Sequence, residues 1–298
     1  MPQCEPFSVS VPATSANLGP GFDAVGIALG VRIRAHVESA RAFSVSFKGA
    51  HAPTRGAYEA LIVAAMRQID SELPRVRISI DNAIPLGKGL GSSAAAYVLG
   101  AAIATKAHGL TVDRIAIARI ACELEGHPDN ALAAVFGGAV IAASGDARSF
   151  VRIRSVRGVC AELVVPNIDL STEQARTLLP ERYSRADVVF TAQRAALLGA
   201  ALASGEWGAL REAMRDRVHQ PYRAPHIPGL AAALDVRSRN LLGVALSGAG
   251  PSVIALMRRA GDGRQISNSI ASCFAKAGVE VERLSVGLGG RGLAVAGA

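Results

Sequence analysis

Apolar and polar residues alternate in FSVSVPA, residues 7–13. That period-two pattern predicts a strand with one buried face. VRIRAHVES (31–39), FSVSF (43–47) and RVRISID (75–81) alternate in the same way. Between them, YEALIVAAMRQI (58–69) spaces its apolar residues three and four apart, as a helix does. A glycine-rich stretch, PLGKGLGSSAAA (85–96), leads into an alanine-rich run without breakers, which predicts a helix over 92–108. Thr111 is placed to cap the next helix, through Cys122, with Ile115, Ile117, Ala118 and Cys122 buried.

The second half continues the alternation of strand and helix. CAELVVP (160–166) has the character of a strand. STEQARTLL (171–179) has that of a helix opened by a Ser171–Gln174 capping box. Helical patterns follow over 184–203 and 206–218, then short apolar strands in LLGVALSG (241–248) and SVIALM (252–257) around a glycine turn. A helix over 263–277 and a strand over 279–286 complete the pattern. The class is therefore α+β or α/β. The length suits two domains, 1–150 and 151–298. No polar linker separates them, so they are expected to pack tightly.

Half the residues are hydrophobic and 19% are charged, enough to fill a core. Apolar runs such as ALAAVFGGAVIAA (131–143) are short and interrupted by glycine, so no membrane partner is expected. The start of the chain lacks the basic cluster and apolar run of a signal peptide. Cys4, Cys122, Cys160 and Cys273 lie far apart, with no metal-binding spacing. They fit free thiols in the cytoplasm. The net charge of +8 would suit an anionic partner. However, the arginines are scattered and aromatic residues are few, so nucleic acid is not the expected partner. Assembly as a homodimer stays open.

The glycine stretch matters most. A strand, a glycine loop and a helix N-terminus together make an anion site, because the first helical N–H groups lack internal partners. Ser92 and Ser93 offer hydroxyls and Lys88 a positive charge. The bland alternative is a structural turn. The stretch is not the G-x-x-x-x-G-K-[ST] loop, and it lacks the third glycine of the dinucleotide fingerprint.

The string P-x-x-x-G-L-G-S-S-A resembles the phosphate loop of the GHMP kinases. GVALSGAGPSVIAL (243–256) is similar to their C-terminal glycine motif. PATSANLGPGFDAVGIAL (12–29) and EGHPDNALAAVFGG (125–138) resemble one branch, the homoserine kinases. Four matches in order are specific. They imply a two-domain α+β fold, with an N-terminal ribosomal-protein-like α/β domain and a C-terminal ferredoxin-like α+β domain.

The resemblance also implies site residues. ATP would lie on Pro85, Lys88, Gly89, Leu90, Gly91, Ser92, Ser93 and Ala94. Mg²⁺ would be held by Ser92 and by Glu125, with Glu123 as the other candidate; hard oxygen donors suit that ion. L-Homoserine would be held by Asn17, Asp23, His127, Asn130, Thr172, Arg176 and Arg223. Asp23 would take the ammonium group and the two arginines the carboxylate. Asn130 and Arg176 would stand at the reacting centre. Taken singly, Asn17 fits an Asx-turn, His127 a loop residue, and the glutamates and arginines solvated surface groups. Related kinases have an aspartate where this chain has Asn130, so no general base is assigned. The implied activity is ATP-dependent phosphorylation of L-homoserine in threonine biosynthesis. The alternatives are a mevalonate-like or sugar-like alcohol as substrate, or a basic nucleic-acid-binding protein.

Overall fold

The structure is a computed structural model describing residues 5–53, 56–143, 146–154, 156–259 and 261–297. Cys4 lies outside the described residues. The elements in order are β1 (Phe7–Asn17), β2 (Gly21–Ser39), β3 (Ser44–Lys48), α1 (Ala57–Arg67), β4 (Val76–Asn82), α2 (Ser92–Ala107), α3 (Arg114–Glu125), α4 (Pro128–Phe136), β5 (Ala139–Ala142) and β6 (Phe150–Ile153). There follow β7 (Val159–Pro166), α5 (Thr172–Thr177), α6 (Arg185–Ser204), α7 (Leu210–Ala213), α8 (Gln220–Arg223), α9 (Leu230–Leu234), β8 (Leu241–Leu246), β9 (Val253–Arg258), α10 (Gly263–Lys276), β10 (Val281–Val286) and β11 (Ala294–Gly297).

Alternation builds the first sheet as expected. Its path is β11-β1-β2-β4-β3, with β5 paired to β2 and β6 to β5. Strand β2 is long enough to serve two neighbours. Val25–Ile27 pair with β5, while Ile33–Ser39 pair with β4. Helices α2 and α4 cover β1 and β2. Helix α2 is almost wholly buried, which its run of alanines permits at close range. The second sheet, β10-β7-β9-β8, is antiparallel throughout and carries α9 and α10.

The two sheets share one core. Residues of β1, β2 and α2 cluster with Leu163, Ile254, Leu256, Leu210 and Met214 from the second half. The chain also crosses back. Strand β6 joins the first sheet just past residue 150, and β11 returns to pair with β1.

Two expectations are corrected. Asp113, not Thr111, caps α3 by accepting from the Ile115 N–H at 2.8 Å, and the helix runs on to Glu125. The helix expected over 206–218 breaks after Ala213. There the Asp216 carboxylate accepts from the N–H groups of Val218, His219 and Gln220, competing with helix continuation and starting α8 instead. Among the described residues one helix, α6, is long and apolar enough to cross a membrane by length and composition. Its Arg194 pairs with Glu212 and its Asp187 with Arg217.

Gly26 sets how closely α4 approaches β2. A Cβ there would overlap the Asp129 carbonyl and lie 3.3 Å from the Ala133 methyl. Gly26→Ala is expected to push α4 outward and cost about 1–3 kcal/mol, as overpacking does. A urea midpoint unchanged from wild type would show that the helix seats elsewhere.

Candidate active site

Three backbone segments meet at the boundary of the two halves. The Thr14 N–H donates to the Leu90 carbonyl at 3.0 Å, and the Gly248 N–H to the Ala16 carbonyl at 3.0 Å. The Ser247 hydroxyl lies 2.7 Å from the Gly89 carbonyl and 2.8 Å from the Ser15 hydroxyl. Two glycine loops, one from each half, are thereby held against the end of β1. Gly91 stands at the tightest point, with φ of 66°. A side chain there would overlap the Thr14 hydroxyl. Gly91 also starts α2 without a side-chain cap, so the helix offers its first N–H groups to a ligand.

A cavity of about 610 Å³ opens above this junction. One wall is apolar: Pro53, Ala57, Leu61 and Leu86, with Tyr58 beside them. The Tyr58 hydroxyl donates to the Ser92 carbonyl at 2.9 Å, fixing the start of α2. Burial, with the nearby Glu125 charge, pushes this phenol upward, so it stays a donor.

Next to the loop lies an acidic cluster. Glu125 is the last residue of α3, where the helix dipole disfavours an anion. Its side chain is 7% exposed. Burial raises its carboxyl above the usual range, against the opposing effects of a hydrogen bond from Ser93 and the charge of His127. His127 Nε2 is 3.5 Å from Glu125, and its Nδ1 is 2.7 Å from Asp129 Oδ1. Burial alone would lower this imidazole. The bond and charge of Asp129 and the charges of Glu125 and Asp23 outweigh it and hold His127 above its ordinary value. Asp129 Oδ1 also accepts from the Asn130 N–H at 2.6 Å, and Asn130 Oδ1 accepts from the Thr14 hydroxyl at 2.7 Å.

The far end carries opposite charges. Arg176 grips Asp23 with two bonds, at 3.0 and 2.8 Å. Arg223 is 1% exposed and among the described residues donates to neutral acceptors: the Ala175 carbonyl, the Gly248 carbonyl and His219 Nδ1, each at 3.2 Å. Burial, then repulsion from Arg176, pulls it down to about 10. The Phe22 ring lies between the two guanidinium groups, 5.6 Å from one and 5.5 Å from the other. Asn17, Leu18 and Asp23 all have positive φ, at 71°, 46° and 55°. Such conformations are costly away from glycine and persist where the surroundings impose them. Asn17 helps to impose this one: its amide donates to the Gly248 carbonyl and accepts from the Asp23 N–H.

Residues 58–138 match the family described as "GHMP kinases N terminal domain" and 198–276 match "GHMP kinases C terminal". A homoserine kinase of Solibacter usitatus is 43% identical over 85% of this chain and 86% of its own. One of Deinococcus radiodurans is 38% identical over 92% of each. The chain belongs to the GHMP kinases, within the homoserine kinase family. Solved structures agree on the fold. A homoserine kinase from Cytophaga hutchinsonii superposes with a TM-score of 0.83 at 24% identity, covering 98% of this chain and 97% of its own. A putative homoserine kinase from Listeria monocytogenes gives 0.76 at 27%, covering 97% and 98%.

In this GHMP kinase, the cavity brings together Asn17, Asp23, Gly89, Gly91, Ser92, Ser93, Glu125, His127, Asn130, Thr172, Arg176 and Arg223. Pro85, Leu90 and Ala94 face the core instead. Lys88 does not line the cavity and instead ties the halves together. Its ammonium donates to the Ile168 carbonyl at 2.7 Å and to Asp169 at 3.0 Å. Both loop serines, Ser92 and Ser93, line the cavity with Glu125. Glu123 lines a different hollow with Arg119 and Arg148. Phe22 and Thr14 were missed by the sequence reading, although both sit inside the N-terminal motif. The Ala57–Leu61 wall is signalled only by i, i+4 spacing on α1.

The raised Glu125 carboxyl has a consequence for stability. The folded kinase holds that proton to higher pH than the unfolded chain does. Stability therefore falls as pH rises from the ordinary carboxylate value through the raised one, and stays lower above it. Glu125→Gln in EDTA is expected to be more stable than wild type near pH ~8, with the difference closing toward pH ~4. Equal urea midpoints at both pH values would contradict this.

Proposed function

We propose that this protein transfers the γ-phosphoryl group of ATP to the side-chain hydroxyl of L-homoserine. The single observation that carries the assignment is the Asp23, Arg176 and Arg223 group in the same cavity as the glycine loop. A zwitterion needs both signs at one end of its site, and a triphosphate needs backbone donors at the other. A mevalonate-like or sugar-like alcohol needs no carboxylate for an ammonium group.

The division of labour follows from the chemistry. Backbone N–H groups at the start of α2 would hold phosphate oxygens, and the Pro53–Leu86 wall would take the base. The loop serines Ser92 and Ser93, with Glu125, fit Mg²⁺, since all three line the cavity and offer hard oxygen atoms. When bound, the ion neutralises charge on the phosphate oxygens. Asp23 would accept from the substrate ammonium while Arg176 and Arg223 turn to the carboxylate, exchanging the Arg176–Asp23 pair for contacts with both ends of one molecule. Asn130, fixed by Thr14, would present its amide to the reacting hydroxyl. Phosphoryl transfer is loose, so positioning and charge stabilisation dominate and little early deprotonation is required. Asp129 Oδ1 is taken up by His127 and by the backbone and side-chain N–H groups of Asn130, and no side chain is assigned as base. The reaction is placed in the cytoplasm as a step toward threonine, with no nucleic acid or membrane taking part.

A coupled ADP-release assay across L-homoserine, L-serine, mevalonate and galactose tests the assignment. Homoserine is expected to exceed the others in kcat/KM by at least about tenfold, roughly 1.4 kcal/mol of discrimination. A preference for mevalonate or galactose would overturn it. Arg223→Leu and Asp23→Asn should each raise the homoserine KM by an amount equivalent to about 2–5 kcal/mol, the usual cost of leaving a buried charge unpaired. The KM for ATP should stay close to wild type; a matching rise would assign these residues to the nucleotide.

A further inference from the structure

Arg223 owes its pose to a histidine that the mechanism has not used. His219 is fully buried at the N-terminal cap of α8, one helical turn before Arg223. Its Nε2 lies 2.8 Å from the Gly19 carbonyl oxygen. A carbonyl can only accept, so Nε2 carries the proton. Its Nδ1 lies 3.2 Å from Arg223 Nη1, and a guanidinium can only donate, so Nδ1 carries the lone pair. The two contacts together fix one neutral tautomer. Burial, reinforced by the adjacent Arg223 charge, lowers the basicity of His219 against the opposing pull of Asp216, consistent with that state.

The surroundings hold the ring as well. Asp216 is buried 3.5 Å from Nε2 and fixes the backbone N–H of His219 at 3.0 Å. Phe22 packs on the imidazole with ring centroids 5.3 Å apart. The Gly19 carbonyl belongs to the turn that leads into Phe22 and Asp23 at the start of β2. One side chain therefore links the group that would bind the ammonium to the group that would bind the carboxylate.

We propose that His219 is a positioning residue for carboxylate recognition: its Nδ1 acceptor aims the Arg223 guanidinium, and its Nε2–H bond to Gly19 sets the distance from Arg223 to the Asp23 turn. The inference rests on the homoserine assignment above. Its chemistry is specific. A carboxylate in place of His219 would neutralise Arg223 before substrate arrived, and a cationic histidine would repel it. A neutral acceptor orients the guanidinium and leaves its charge available.

Two amides separate the two ring nitrogens. Asparagine places an acceptor near Nδ1, and glutamine places a donor near Nε2. His219→Gln should raise the homoserine KM about tenfold or more, while His219→Asn should lose less, about threefold, with the ATP KM within about twofold in both. On an Arg223→Leu background, His219→Gln should add less than about twofold, because the two act as one unit. A purely structural histidine would shift the ATP and homoserine constants together, and its loss would multiply with that of Arg223→Leu. Either result overturns the proposal, as does an asparagine variant that loses more than the glutamine variant. If His219→Gln fails to fold by its melting curve, the asparagine variant decides alone, since a homoserine KM raised as far as in Arg223→Leu would also overturn it. Wild-type enzyme that releases no ADP with homoserine would instead remove the homoserine assignment, so the two failures are distinct.

Discussion

The hydrogen bond from the Gly248 N–H to the Ala16 carbonyl joins the two halves beside the cavity that both of them line. Around it, Thr14 holds the phosphate loop through Leu90, and Ser247 bridges Ser15 and Gly89. The contacts are backbone to backbone or through one short hydroxyl, so the segments approach more closely than side chains would allow. Loop geometry follows from this. Asn17 can reach Gly248 only because the junction is tight, and its other amide atom then holds Asp23 in a left-handed conformation. An error of an ångström at the junction would be felt at both ends of the cavity, and reactions of this kind depend on alignment of that quality.

The site also stores electrostatic cost. Glu125 is an anion that burial resists, and Arg223 is a cation held by neutral acceptors alone among the described residues. Each destabilises the unliganded fold, and each would be relieved by a ligand of opposite charge. Stability is sacrificed where binding requires it, a common pattern in sites tuned for function. The alanine-rich core of α2 and the shared apolar cluster between the two sheets offset that loss at a distance from the chemistry.

Much of this was legible in the sequence because the constraints act on the backbone. A helix start that must approach Thr14 needs glycine at position 91, and the capping box at Ser171 and Gln174 forms as the spacing requires. Strands with strict alternation fell where expected. Less was legible where one side chain chooses among several partners. Lys88 beside the glycine loop gives no sign in the sequence of its bond to Asp169 in the other half. The break after Ala213 depends on the Asp216 carboxylate taking three N–H groups, which helical periodicity does not register.

The two arginines illustrate why partners matter more than residue type. Arg176 meets Asp23 in a half-exposed bidentate pair, so its charge is already largely answered. Binding a carboxylate there means exchanging one anion for another, which changes the energy little. Arg223 has no such exchange to make. Its acceptors are two carbonyls and a neutral imidazole, which satisfy the N–H groups without cancelling the charge. A carboxylate arriving at Arg223 gains an interaction that the free protein lacks, in a low-dielectric setting where it is strong. On the proposed assignment, Arg223 would carry the drive toward an anionic substrate. Arg176 and Asp23 would together supply geometry, since a ligand with both charges can replace the pair without leaving either partner unanswered.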